Sequence, residues 1–121
     1  MIEIESDETK NLFVIRYHGH VTAEETGSWV EPMQQALAKL RPGFGLLVDF
    51  THLESMDADC APHIGQIMDY CNANGVAAVV RVIPDPQRDI GMQIMSRFHY
   101  GGNVQIVNVA TVEEAMKILF D

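Results

Sequence analysis

The feature that most constrains the fold is an uninterrupted apolar segment near the middle of the chain. It runs Gly-Leu-Leu-Val-Asp-Phe-Thr from Gly45 to Thr51, with a single acidic residue. A continuous apolar run is typical of a strand buried on both faces, whereas a half-exposed strand alternates apolar and polar residues. A second such run extends from Val76 to Ile83. The two segments predict central strands of a parallel sheet, which needs helices on both faces.

An amphipathic helix is predicted before the first of these strands. Thr22 and Glu25 form a capping box, a pattern that opens many helices. The apolar residues that follow lie within about 120° of one helical face; they are Trp29, Val30, Met33, Ala36, Leu37 and Leu40. Pro32 lies inside this segment and removes a backbone donor, so either the helix kinks there or it begins at Ser28, where a second capping box lies.

Two more helices are predicted around the second buried strand. A loop from His52 to Asp57 leads into a helix that ends at Gly75. Its apolar face consists of Ala61, Ile64, Ile67, Met68 and Cys71. After the strand, Asp85 is the expected cap of a further helix that begins at Pro86 and runs to about Phe98.

The two ends of the chain supply the remaining elements. Ile2–Glu5 and Asn11–Tyr17 predict a hairpin, and Val104–Val109 predicts a last strand. Thr111 and Glu114 cap a terminal helix. The apolar residues of that helix are Val112, Ala115, Met116 and Leu119.

The predicted order of elements is ββαβαβαβα, in one α/β domain over residues 1–121. Alternating strands and helices favour right-handed crossovers and parallel pairing. We therefore expect a mixed, mostly parallel sheet of five strands with about four helices.

Charge and composition exclude several classes of function. The net charge is −9, which disfavours contact with nucleic acid or anionic lipid. The acidic start of the chain is unlike a signal peptide, and no apolar run approaches the ~20 residues of a membrane span. We expect a cytoplasmic protein that binds no nucleic acid and has no membrane span.

Candidate functional residues gather at the carboxyl ends of the predicted strands, where open α/β sheets bind their ligands. They lie in Tyr17–His20, Thr51–Cys60 and Pro84–Pro86. The second segment is the richest in polar groups and leads into a helix. Asp57 and Asp59 are expected to cap that helix.

Histidine and cysteine offer weaker candidates. His18 and His20 lie two residues apart at a strand end and would form a metal site if His52 or His63 supplied a third ligand. The chain has no HExxH or CxxC motif, and we predict neither a metal nor a cofactor. Cys60 is expected to be a small buried thiol.

Four motifs spread over nearly the whole chain carry a family resemblance. They are Gly19-His20-Val21-Thr22 before the first helix, Leu47-Val48-Asp49-Phe50-Thr51-His52-Leu53 in the third strand, Met56-Asp57 before the second helix, and Thr111-Val112-Glu113-Glu114-Ala115 at the last helix. Together with the order of elements, they resemble the STAS domain (sulfate transporter and anti-sigma factor antagonist) and its SpoIIAA-like members. The resemblance implies a SpoIIAA-like fold.

The resemblance also implies where a switch would lie. In the members controlled by phosphorylation, the loop before the second helix is Asp-Ser-Ser-Gly, and a partner kinase that is also an anti-sigma factor phosphorylates the first serine. Here Asp57 matches, while Ala58, Asp59 and Cys60 replace the other three residues. Ala58 has no hydroxyl to phosphorylate. Ser55 matches no phosphoacceptor position and is expected to be an ordinary polar residue.

The third predicted helix has more apolar surface than one sheet can cover. Its apolar residues span an arc of about 200°, roughly twice the usual ~100° stripe; they are Ile90, Gly91, Met92, Ile94, Met95 and Phe98. Loops, a protein interface, a homodimer contact or the lip of an apolar pocket would each account for this excess.

The leading functional hypothesis is a non-enzymatic, cytosolic STAS-like module that docks a protein partner, such as an anti-sigma factor or another regulator. The predicted contact residues are Asp57, Ala58, Asp59, Cys60, Ile90, Met92, Ile94, Met95 and Phe98. The alternative is a domain that binds or senses a small, lipid-like apolar ligand beside the third helix. An enzyme that uses His18, His20 and His52 ranks third.

Overall fold

A computed structural model describes residues 1–85 and 99–120 of the chain. Its five strands form one sheet in the order in which they follow along the chain. They are β1 (Ile2–Asp7), β2 (Leu12–Val21), β3 (Gly45–Met56), β4 (Ala78–Val82) and β5 (Gln105–Val109). β1 is antiparallel to β2, and every other neighbouring pair is parallel. The predicted α/β architecture with a mixed five-stranded sheet is confirmed.

The described residues contain three α-helices. They are α1 (Ala23–Leu37), α2 (Ala61–Ala73) and α3 (Val112–Phe120), and a short 3-10 helix (Ala58–Cys60) precedes α2. This is one helix fewer than the sequence predicted, and the predicted helix over residues 86–98 lies outside the described residues. None of the helices in the described part is long and apolar enough to cross a membrane.

Helix α1 begins at the first of the two predicted capping boxes. The Oγ1 of Thr22 accepts a hydrogen bond from the backbone N–H of Glu25 at 3.1 Å. The helix therefore starts at Ala23 rather than at Ser28, and it continues past Pro32 to Leu37. Its inward face buries Thr26, Met33 and Leu37.

Each face of the sheet has its own apolar core, because successive strand residues point to opposite sides. On β3, Leu46 points to the side covered by α1 and α2, and Leu47 points to the side covered by α3. We call these sides the α1/α2 face and the α3 face. The core of the first includes Phe13, Ile15, Met33, Leu37, Ile64 and Ile67. The core of the second consists of Leu12, Val14, Leu47, Val80, Val82 and Ala115.

Strands β2 and β3 continue together beyond the rest of the sheet. β3 pairs with β4 only as far as Asp49, but it stays paired with β2 as far as Met56. The predicted loop over His52–Asp57 is therefore wrong, since most of it is strand. The register of the two strands shifts twice, once beside Gly19, whose φ of +63° is a conformation that glycine adopts without strain.

Candidate functional site

His20 connects the ends of β2 and β3. The strand register places it beside Ser55. Its Nδ1 lies 2.6 Å from Ser55 Oγ, and its Nε2 lies 3.0 Å from Asp57 Oδ1. His20 Nδ1 and the Ser55 hydroxyl share a hydrogen bond, whereas Nε2 and the Asp57 carboxylate are within ion-pair distance but form no hydrogen bond. When the neutral ring carries its proton on Nε2, Nδ1 accepts from the Ser55 hydroxyl. Ser55, His20 and Asp57 thus form a contiguous serine–histidine–carboxylate cluster, which we call the His20 relay.

Asp57 anchors the turn from β3 into the short 3-10 helix. Its backbone N–H donates to the carbonyl of Val21 at 3.0 Å, and its own carbonyl accepts from the N–H of Cys60 at 3.0 Å. Asp57 occupies the predicted N-cap position, but its side chain makes no capping hydrogen bond and pairs with His20 instead. Asp59 lies within the short helix, and Cys60 occupies the N-cap position of α2, so the predicted cap at Asp59 is also wrong.

Three of the four predicted site residues in this turn are exposed to solvent. Asp57, Ala58 and Asp59 form an exposed surface that we call the acidic corner. Cys60 is buried, and its thiol lies 3.6 Å from the carbonyl of Val21, in agreement with the predicted buried thiol. The other predicted contact residues, Ile90, Met92, Ile94, Met95 and Phe98, lie outside the described residues.

The candidate histidine ligands do not converge on one point. His18 stacks against His52 with 5.7 Å between ring centroids, and its Nε2 lies 3.3 Å from Glu3 Oε1 without forming a hydrogen bond. His63 lies instead on α2, close to Gly27 of α1. Within residues 1–85 and 99–120, no group of three or more histidine, cysteine, aspartate or glutamate residues could hold a metal ion.

A cleft opens between the carboxyl ends of β3 and β4, at the edge where the sequence placed the candidate site. It has a volume of about 190 Å³ and is lined by Phe50, Thr51, Leu53, Ile83, Pro84 and Asp85. The buried carboxylate of Asp49 shapes the cleft, because it accepts hydrogen bonds from the backbone N–H and the hydroxyl of Thr51. The structure thus brings Thr51 and Pro84 together, as expected for strand ends in a parallel sheet.

Three titratable side chains, those of Tyr17, Cys71 and Tyr100, form a polar cluster buried within the core of the α1/α2 face. Burial raises the pKa of the Cys71 thiol to about 12. Burial also raises the pKa values of Tyr17 and Tyr100 above their usual range, and the neighbouring Cys71 raises both further. All three groups are therefore neutral at physiological pH, and Cys71 provides no reactive thiolate.

A small apolar cavity adjoins this polar cluster. Its volume is about 20 Å³, and Tyr17, Leu46, Arg81 and Tyr100 are among the residues that line it. A space of this size holds about one water molecule. Pockets for small molecules usually measure about 300–1,000 Å³, so this cavity is far too small for a lipid-like ligand.

The contact between His20 and Ser55 was not predicted from the sequence. His20 was considered as a metal ligand and Ser55 as an ordinary polar residue, and neither prediction paired them. One signal was available: His20 and Ser55 follow the predicted strands Asn11–Tyr17 and Gly45–Thr51, and the carboxyl ends of neighbouring parallel strands meet at one edge of a sheet. That signal brings the segments together but does not fix which side chains touch.

Comparison with known proteins supports the fold. No family model and no curated protein matches the sequence. Among solved structures, the anti-sigma factor antagonist SpoIIAA in its unphosphorylated form superimposes with a TM-score of 0.68 at 20% identity, over 98% of this chain and 97% of that one. An uncharacterized protein with a SpoIIAA-like fold from Shewanella loihica gives a TM-score of 0.72 at 17% identity, over 98% and 92%.

A third similar structure is that of the diguanylate cyclase SiaD in complex with its activator SiaC from Pseudomonas aeruginosa. The matching chain gives a TM-score of 0.58 at 12% identity, over 90% of this chain and 93% of that one. The likeness extends over most of both chains in all three comparisons. The chain therefore has the SpoIIAA-like fold that its motifs predicted.

Proposed function

We propose that this protein is a regulatory module that acts by binding a protein partner rather than by catalysing a reaction. The fold supports the proposal, since one similar structure is an anti-sigma factor antagonist and another contains an activator bound to the enzyme it activates. Both of those proteins are regulators. The partner of this chain is then an anti-sigma factor, an enzyme or another regulatory protein.

The acidic corner is the proposed docking surface, and its rigid attachment to the sheet is the observation that carries the proposal. Asp57 is held through its backbone by Val21 and through its side chain by His20. A surface held in one conformation loses little entropy when a partner binds. The carboxylates of Asp57 and Asp59 favour a partner with a complementary basic patch.

The proposed module works without the serine switch of its phosphorylated relatives. Ala58 occupies the position of the phosphoacceptor and offers no oxygen nucleophile. Asp59 carries one negative charge, less than the roughly −1.5 to −2 of a phosphate. We therefore expect the partner to bind the acidic corner without any control by phosphorylation at position 58.

A charge-reversal variant tests this docking surface. Asp59→Arg alters an exposed side chain outside the His20 relay, and Glu113→Arg makes the same change at an exposed position of α3, on the other side of the sheet. A partner is first identified by cross-linking in the source cells, then purified, and its affinity for each variant is measured by calorimetry. We expect Asp59→Arg to weaken binding at least about tenfold, or ~1.4 kcal/mol, and Glu113→Arg to change it less than about twofold.

Two outcomes would contradict the proposal. Equal binding of the partner to the wild type and Asp59→Arg would place the interface elsewhere. A partner whose own activity stays the same when this protein is added would remove the regulatory role. Native mass spectrometry of the purified protein tests the predicted homodimer separately.

A further inference from the structure

We propose that Ser55 is an activated nucleophile that accepts an acyl group from an ester or thioester, with His20 as its general base and Asp57 as the residue that orients the base. This inference goes beyond the proposed binding function. It rests on the two contacts of the imidazole ring, 2.6 Å to Ser55 Oγ and 3.0 Å to Asp57 Oδ1. Ser55 lies beside the acidic corner, so an acyl group on it would change the surface proposed for partner binding.

The contact between Ser55 and His20 has the geometry that a serine nucleophile requires. A serine hydroxyl becomes a useful nucleophile when a base lies within hydrogen-bond reach and a third group orients that base. The negative charge of Asp57, 3.0 Å from Nε2, favours the tautomer with the proton on Nε2, which leaves Nδ1 free to take the proton of Ser55. The two nitrogens are used in the reverse of their roles in serine proteases, where Nε2 faces the serine. The proposed proton transfer requires only that one ring nitrogen of His20 face Ser55 and the other face Asp57.

The backbone holds the three residues in place. His20 and Ser55 are direct partners in the parallel pairing of β2 and β3. The backbone N–H of Asp57 is bound to the carbonyl of Val21, the residue next to His20. Reactive groups placed on paired strands keep their mutual geometry better than groups on loops. The short hydrogen bond between His20 Nδ1 and Ser55 Oγ is therefore maintained before an acyl donor binds.

The hydroxyl is accessible, and the step balances. Ser55 is exposed, and about half of the His20 side chain is open to solvent. Ser55 Oγ forms a bond to the carbonyl carbon of the ester as its proton passes to His20 Nδ1. The bond from that carbon to the leaving oxygen or sulfur then breaks, and the leaving group departs as an alkoxide, phenolate or thiolate, or takes the proton back from the imidazolium. The Asp57 carboxylate lies next to the positive charge that forms on the ring.

A second exposed serine provides an internal control. The hydroxyl of Ser28 donates to the backbone carbonyl of Glu25 at 2.7 Å within α1, and it forms no hydrogen bond with a histidine of residues 1–85 or 99–120. If the relay served only to tie two strands together, Ser55 and Ser28 would react with an acyl donor at similar rates. Activation by His20 predicts that they differ.

The test uses p-nitrophenyl acetate as the acyl donor. Release of p-nitrophenolate is followed by absorbance, and the acetylated residues are located by tandem mass spectrometry. We expect acetylation of Ser55 at least about tenfold faster than that of Ser28, since general base catalysis contributes about 10²–10⁴-fold in favourable sites. Ser55→Ala should abolish the fast phase, and His20→Gln should slow it at least about tenfold. Ser28→Ala should leave it unchanged.

A fold-preserving variant keeps the test decisive. Asp57→Asn retains the shape of the side chain but frees the imidazole to adopt the other tautomer, and it should slow acetylation of Ser55 at least about threefold. Circular dichroism establishes that each variant is folded before its rate is compared. The proposal is overturned if Ser55 reacts no faster than Ser28, or if folded His20→Gln and Asp57→Asn both react at the wild-type rate.

Discussion

The two faces of the sheet are built very differently, although the same strands supply both. Helices α1 and α2 cover the first face, and its core includes large side chains such as Phe13, Phe44 and Met33. In the described residues, α3 covers the second face with nine residues over a core of six buried side chains. The first face also buries Tyr17, Cys71 and Tyr100 among its apolar residues, whereas the apolar core of the second consists of aliphatic side chains alone.

This difference predicts that the α1/α2 face contributes most of the stability and that the α3 face offers a more open surface. Burial of apolar area dominates the free energy of folding, so the α1/α2 face should contribute most of it. The α3 face contains a groove of about 170 Å³ that is partly lined by charged residues, including Glu5, Lys10 and Arg16. Substitutions on the α3 face should therefore lower the free energy of unfolding less than matched substitutions on the α1/α2 face. Their structural effects should also extend over fewer residues.

Two neighbouring leucines of β3 test the comparison with the largest expected effect. Leu46 and Leu47 are both buried and point to opposite faces. We expect Leu46→Ala to lower the free energy of unfolding by about 3–5 kcal/mol, because the new void adds to the existing cavity beneath α2. Leu47→Ala should cost about 2–3 kcal/mol, because Leu47 lines the groove and water can fill the space. Urea unfolding of both variants gives the difference. A larger loss for Leu47→Ala would invert the assignment of the main core.

Alkaline titration should destabilise the protein through the buried titratable groups of the α1/α2 face. The pKa of Cys71 is raised in the folded state from its ordinary 9.0 to about 12. Its stabilising contribution is therefore complete below pH about 9 and is lost as the pH rises toward 12, by about 2 kcal/mol at pH about 10.5. Cys71→Ala should lose correspondingly less stability between pH 8 and about 10.5 in urea titrations. Identical pH profiles for the wild type and the variant would contradict the buried, neutral thiol.

Two matching capping boxes compare the helices of the two faces. The Oγ1 of Thr22 accepts from the N–H of Glu25 at 3.1 Å in α1, and the Oγ1 of Thr111 accepts from the N–H of Glu114 at 3.2 Å in α3. Loss of such a cap costs about 1 kcal/mol. We expect Thr22→Ala to lower the global stability by that amount. Thr111→Ala should mainly accelerate amide exchange within α3, because a short peripheral helix can open without global unfolding. If the amides of α3 exchange only through global unfolding in both variants, α3 is coupled to the rest of the fold as strongly as α1.

The elements that were predicted well are those whose signals are local. The apolar run from Gly45, the capping threonines and the face of α2 each follow from a few neighbouring residues. The extension of β3 to Met56 was missed because most of its side chains are polar, and its strand geometry comes from pairing with β2. The contact of His20 with Ser55 depends on two shifts of that register, which no short segment specifies.

The smallest expected effect concerns the surface of the α3 face. Arg16 lies 3.2 Å from Glu5 across β1 and β2, and both side chains are substantially exposed. Because water and salt screen such pairs, a double-mutant cycle with Arg16→Ala and Glu5→Ala should give a coupling energy of about 0.2–1 kcal/mol in low salt. Added sodium chloride should reduce it. A coupling as large as the loss at Leu47 would mean that charges, rather than the thin apolar core, hold this face together.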